Sequence, residues 1–150
     1  MKETMSFQEK RIITTMVSIA LSFGIYFWVI SGMYQDGYFE GPDSLSLIGK
    51  SILILIVGTI VATIGLIILT TIFMSVKEKP EFLSDERDKL IELKGKQISE
   101  SVSGMGLTVS MVALAMGSSS FFVFHSIAFS FGIGSIIGHL AMLRFHRKGF

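Results

Sequence analysis

From Ser101 to Leu143 the chain carries no Asp, Glu, Lys or Arg. At about 1.5 Å of helical rise per residue, that stretch is about twice as long as one crossing of a bilayer requires, so it has to turn back on itself. Two further uncharged runs, residues 12–33 and 51–76, are each long enough for the roughly 20 residues that span a hydrocarbon core. Charged residues make up 17% of the chain, against about 25% in soluble domains. These runs predict an all-α membrane protein forming one domain, residues 1–150. Four transmembrane helices in two hairpins are expected at about 12–33, 51–76, 99–117 and 122–143, with an amphipathic cytoplasmic helix before the third.

Lys10 and Arg11 precede the first run, as they would precede a secretory signal. That run continues through Tyr26, Phe27 and Trp28 with no small-x-small cleavage site, which predicts a retained first span. Tyr26, Trp28, Tyr34 and Tyr38 fall toward its far end, where aromatic rings favour the headgroup level. Residues 35–50 contain Asp-Gly-Tyr-Phe-Glu-Gly-Pro-Asp, a loop signal, with Lys50 as their one base. Between the third and fourth spans the turn is expected within residues 117–124, where Gly117, Ser118, Ser119 and Ser120 are poor helix formers.

Residues 77–98 are the connector, and the charged segment that they begin holds more than half of the acidic residues. Every base except Lys50 lies before the first span, in the connector or after the fourth span. The positive-inside rule then puts both termini and the connector in the cytoplasm. In the connector Pro80 stops the second span, and Ser84, Asp85 and Glu86 read as the capped, acidic start of a new helix. Asp85, Asp88, Lys89, Glu92 and Lys96 share one of its faces, and Phe82, Leu83, Leu90, Ile91, Leu93 and Ile98 the other. Arg87 and Lys94 fall inside the apolar arc, Gly95 is a weak point, and the helix is expected to lie at the membrane surface or to dock a partner.

Within a bilayer, helices associate by close backbone approach and polar contacts, so small residues mark the seams. Ser99, Ser103, Gly106, Ser110, Ala113 and Gly117 recur at steps of four and three in the third span, and Gly58, Ala62 and Gly65 do so in the second. Ser126, Ser130, Gly134 and Gly138 form a stripe at steps of four in the fourth, equally suited to packing a second copy of the chain into a homo-oligomer. Residues 18–25 and 126–133 resemble each other, which biased composition explains better than an inverted repeat does.

The spans hold no acid or base to couple ions or protons, and there is no cysteine. His125, His139 and His146 lack the spacing and partners of a metal site, so the expected role of His125 and His139 is hydrogen bonding. No phosphate loop, nucleophile elbow or H-E-x-x-H motif occurs, and the bases form no patch for nucleic acid. The chain is therefore expected to be no enzyme, and to take no cofactor, metal or nucleic acid.

The run Ser84-Asp-Glu-Arg-Asp-Lys-Leu-Ile-Glu-Leu-Lys94 resembles the D-E-R-[DE]-x-x-I-x-x-K motif of a family of small, uncharacterised, multi-pass prokaryotic membrane proteins. Asp85, Glu86, Arg87, Asp88, Ile91 and Lys94 match it, while Gly95 stands where the family often has Ala. The resemblance implies a prokaryotic cytoplasmic (inner) membrane and no particular activity. The functional expectation is a regulatory or accessory protein, embedded in the lipid bilayer, that binds a cytosolic or membrane protein partner through those six connector residues. The alternative is a small transporter, channel or lipid-binding protein.

Overall fold

The computed structural model describes residues 5–75 and 86–148, and among them the chain forms four helices and no strand. These are α1 (Phe7–Gln35), α2 (Ser44–Ser75), α3 (Glu86–Ala115) and α4 (Ser120–Lys148). Each is long and apolar enough to cross a membrane.

Helices α1 and α4 overrun their expected spans at both ends and α2 and α3 at their starts, and α1 does so because it stops at caps, not where apolar residues run out. Ser6 starts α1 with a capping box: the Glu9 N–H donates to Ser6 Oγ at 3.2 Å, and the Ser6 N–H to Glu9 Oε2 at 2.9 Å. Gly37 (φ 78°) and Gly117 (φ 86°) end α1 and α3 in the left-handed conformation that glycine adopts without strain. Beyond them the N–H of Tyr38 reaches Met33 O at 3.1 Å and that of Ser118 reaches Ala113 O at 3.0 Å, the paired closure that satisfies the last carbonyls of a helix. The α3–α4 turn thus lies at residues 116–119, two residues earlier than the expected spans place it, and Ser119 Oγ accepts the Phe122 N–H at 3.3 Å to start α4. Helix α2 begins at Ser44, so Lys50 lies inside a helix and not in the loop. Helix α3 runs unbroken through Gly95, so the described part of the connector is continuous with the third apolar segment. Asp85 lies outside the described residues, as do Pro80, Phe82, Leu83 and Ser84.

The packing differs from that of a water-soluble bundle in how many polar groups it buries and how many large apolar ones it exposes. Ser18, Ser51, Ser103, Ser110, Ser130 and His125 are buried, while Trp28, Ile54, Phe73 and Met105 are all more than two-thirds exposed. Apolar surface of this extent is matched by lipid and not by water.

Helices α3 and α4 run antiparallel in close backbone contact. A Cβ on Gly134 would meet Ser103 Oγ and lie 2.7 Å from the Ser99 carbonyl oxygen; one on Gly138 would lie 2.7 Å from the Gly95 carbonyl oxygen. One on Gly106 would strike Ser130, and one on Gly95 would strike Met142, which makes Gly95 a packing point and not a weak one. Ser110 and Ser126 share a hydrogen bond at 2.9 Å and extend the line. The α2 stripe differs: a Cβ on Gly58 or Gly65 would meet nothing within 4 Å, and Ala62 beside them is half-buried. The reason is that α2 joins its neighbours through larger groups, with Ser18 of α1 bonded to Thr63 at 3.0 Å and Leu55 and Ile48 buried against Tyr26 and Ile30. The two similar octapeptides also serve different ends, since Gly24 faces open space whereas a Cβ on Gly132 would lie 2.7 Å from the Phe23 ring.

Replacing Gly134 by Leu is expected to force the α3 backbone away, at a cost of about 1–3 kcal/mol or more. The same change at Gly58 should leave stability within about 0.5 kcal/mol. Thermal unfolding of the two variants in detergent measures the difference.

Candidate functional site

Two places gather polar groups, one toward each end of the bundle. Toward the end formed by the 36–43 loop and the α3–α4 turn, His125 of α4 sits between α1 and α2. Its Nδ1–H donates to the Phe121 carbonyl at 2.7 Å, so the neutral ring offers Nε2 as acceptor to the Tyr26 hydroxyl at 2.9 Å. Ser51 of α2 stands 3.2 Å from the Tyr26 hydroxyl and 2.8 Å from the Ile48 carbonyl, and its one proton is shared between these two acceptors. A chain of hydrogen bonds therefore ties three helices where water is excluded. Phe121 lies over His125 with centroids 4.2 Å apart, and Phe39 folds in from the loop to within 4.7 Å of Phe121. Tyr26 is thus an interior residue and not part of an aromatic belt; Trp28, Tyr34 and Tyr38 are the exposed rings. Nothing in the spacing of Tyr26 and His125, 99 residues apart, pairs them in advance.

At the opposite, base-rich end the start of α1 meets the end of α4 and the first turns of α3. Arg147 Nε donates to Glu9 Oε1 at 3.1 Å, and His146 Nδ1 lies 3.7 Å from Asp88 Oδ1. The Ser6 N–H holds the Glu9 carboxyl below the ordinary carboxylate range, and Arg147 adds to this against the opposing effect of burial. Beneath these pairs Ile12, Ile91 and Met142 form a small apolar plug. Beside it opens a cavity of about 570 Å³, walled by α1 and α3 and floored by α4, with Arg11, Asp88, Glu92, Lys96 and His139 in its lining. Glu92 accepts from Lys96 at 2.9 Å, which lowers the acid's pKa. The cavity exists because the α3 backbone comes close to α4 alone among the described helices, leaving a gap toward α1 and α2. A second hollow of about 520 Å³, lined by Phe124, Ile127, Phe131 and residues of α2, is apolar apart from Thr59, whose buried hydroxyl has no partner among the described residues.

The connector residues do not share one surface. Ile91 is 1% exposed and turned into the bundle, Asp88 faces His146, and Glu86, Arg87 and Lys94 lie on the exposed side. Leu90 and Leu93, expected on the same apolar face as Ile91, are each more than half exposed, because α4 covers only the Ile91–Gly95 side of the helix. The cavity was not foreseeable from α3 alone, since its other wall comes from Gln8, Arg11 and Thr15.

Compared with family models, curated proteins and solved structures, the chain matches none.

Removing either end of the Tyr26–His125 bond should reveal coupling between them. Tyr26→Phe and His125→Phe, combined in a double-mutant cycle on unfolding in mixed micelles, should give an interaction of about 0.5–2 kcal/mol. Strict additivity would mean that the pair does not hold the helices together.

Proposed function

We propose that the chain is a non-enzymatic, four-span protein of a prokaryotic cytoplasmic membrane, arranged as two hairpins with both termini and the connector inside the cell. Its connector helix binds a cytosolic or membrane protein partner, and so acts in a regulatory or accessory role. The observation that carries this reading is the exposure of Leu90 and Leu93 on a helix fixed from behind by Ile91 and Gly95. Lys89, Glu92, Lys94 and Lys96 surround the two leucines, so hydrocarbon is not their natural neighbour. A rigid helix face with paired leucines amid charge fits recognition by a partner helix or groove. The charged start of α3 also prolongs the axis of a spanning helix, which favours a projecting handle over a helix lying flat on the membrane. The likeness of residues 84–94 to the D-E-R-[DE]-x-x-I-x-x-K family accords with the prokaryotic setting.

A second reading, a small lipid-binding or transport protein, is favoured by the two hollows along α4. The connector reading is tested by co-purification from membranes with the intact protein and with the double variants Leu90→Asp/Leu93→Asp and Arg87→Glu/Lys94→Glu. A partner lost from both variants, with helix content unchanged, is the expected result. Retention of the same partners by both would remove the basis for a connector-mediated role.

A further inference from the structure

The two hollows lie on one face of α4. Phe124, Ile127 and Phe131 line the apolar one and Ser135, Met142 and His146 the polar one. These residues follow at steps of three, four, four, seven and four, the repeat of a single helix face. Between Phe131 and Ser135 only one turn, about 6 Å, separates them. Taken together, the two hollows in line along α4 make a trough that is apolar toward Phe124 and charged toward His146, with residues of α2 along its apolar part and the α1–α3 gap around its polar part.

Arg11 and Lys96 stand against Asp88 and Glu92 in the polar part, where Glu92 accepts from Lys96 at 2.9 Å and Asp88 lies 3.7 Å from His146, each carboxylate keeping further acceptor capacity. A purely anionic ligand would gain from the two bases but suffer from the two acids. A zwitterion can use both, its phosphate taking N–H donors from the Arg11 guanidinium and its ammonium donating to the carboxylates. His139 lies in the same lining, with its Nδ1–H committed to the Ser135 carbonyl at 2.7 Å. The apolar part of the trough has no use for a water-soluble zwitterion and suits a hydrocarbon chain.

We propose that this trough binds a single phospholipid with a phosphoethanolamine headgroup, the headgroup lying among Arg11, Asp88, Glu92 and Lys96 and an acyl chain along Phe124, Ile127 and Phe131. The assignment deepens the lipid-binding reading given above and rests on it. Phosphocholine has no N–H to donate to the carboxylates, and phosphoglycerol has no cation for them, so both are disfavoured.

Native mass spectrometry of the full chain in detergent, with phosphatidylethanolamine, phosphatidylcholine and phosphatidylglycerol of matched chains, tests it. The expected result is one bound phosphatidylethanolamine, preferred about tenfold over the other two. Arg11→Gln should lower its occupancy about tenfold by removing the phosphate contact. Ile60→Trp, at an exposed position lining the apolar hollow, should also lower it, with circular dichroism unchanged in both variants. Equal occupancy by the three lipids would overturn the headgroup assignment while leaving lipid binding standing. Absence of any retained lipid would overturn both. Soluble phosphoethanolamine binding as tightly as the lipid would overturn the role given to the apolar hollow, and unchanged occupancy in Arg11→Gln would overturn the placement of the phosphate.

Discussion

The close approach of α3 and α4 is the contact on which the rest of the bundle depends. Between lipid-facing helices there is no hydrophobic gain to be had, because a leucine is as well matched by an acyl chain as by another leucine. What remains is dispersion at short range and hydrogen bonding away from water, and both require backbones that nearly touch. Gly95, Ser99, Ser103, Gly106 and Ser110 supply that on α3, against Met142, Gly138, Gly134, Ser130 and Ser126 on α4. The register is antiparallel throughout, so each small residue meets another small residue or a flexible side chain.

Committing one side of α4 to this seam determines the rest. The α1–α2 pair engages another side, through the Phe23 ring on Gly132 and the Tyr26–His125–Ser51 chain. Because α3 makes no close backbone approach to α1 or α2 among the described residues, a gap persists beside α4. Among the described residues, charged groups enter it from the base-rich end; the cavity follows from that gap, and the exposure of Leu90 and Leu93 from α4 being the one helix whose backbone packs closely against α3. The tie between Glu9 and Arg147 then joins the start of α1 to the end of α4 at the same level.

The presence of four long helices could be read from the chain because apolar length is a strong signal, and so could the small residues of α3 and α4. Which stripes would meet could not. Gly58 and Gly65 carry the same spacing as the seam residues yet face open space, since spacing records what a helix permits and not what lies opposite. Helix ends were blurred for a related reason: a helix continues past the hydrocarbon edge until a cap such as Ser6 with Glu9, or Gly37 or Gly117, ends it. Tyr26 reads as an interface residue by its type and position, and only the fold brings it to His125. The polar trough is assembled from residues of all four helices, each unremarkable within its own segment.

The chain has no cysteine of its own, so introduced pairs report helix proximity without background. Cysteines at Ser110 and Ser126, whose hydroxyl oxygens stand 2.9 Å apart, should oxidise within one chain to near completion in membranes. A pair at Gly58 and Thr108 should not. Failure of the Ser110–Ser126 pair to close, or closure only between separate chains, would contradict the α3–α4 seam and with it the arrangement built upon it.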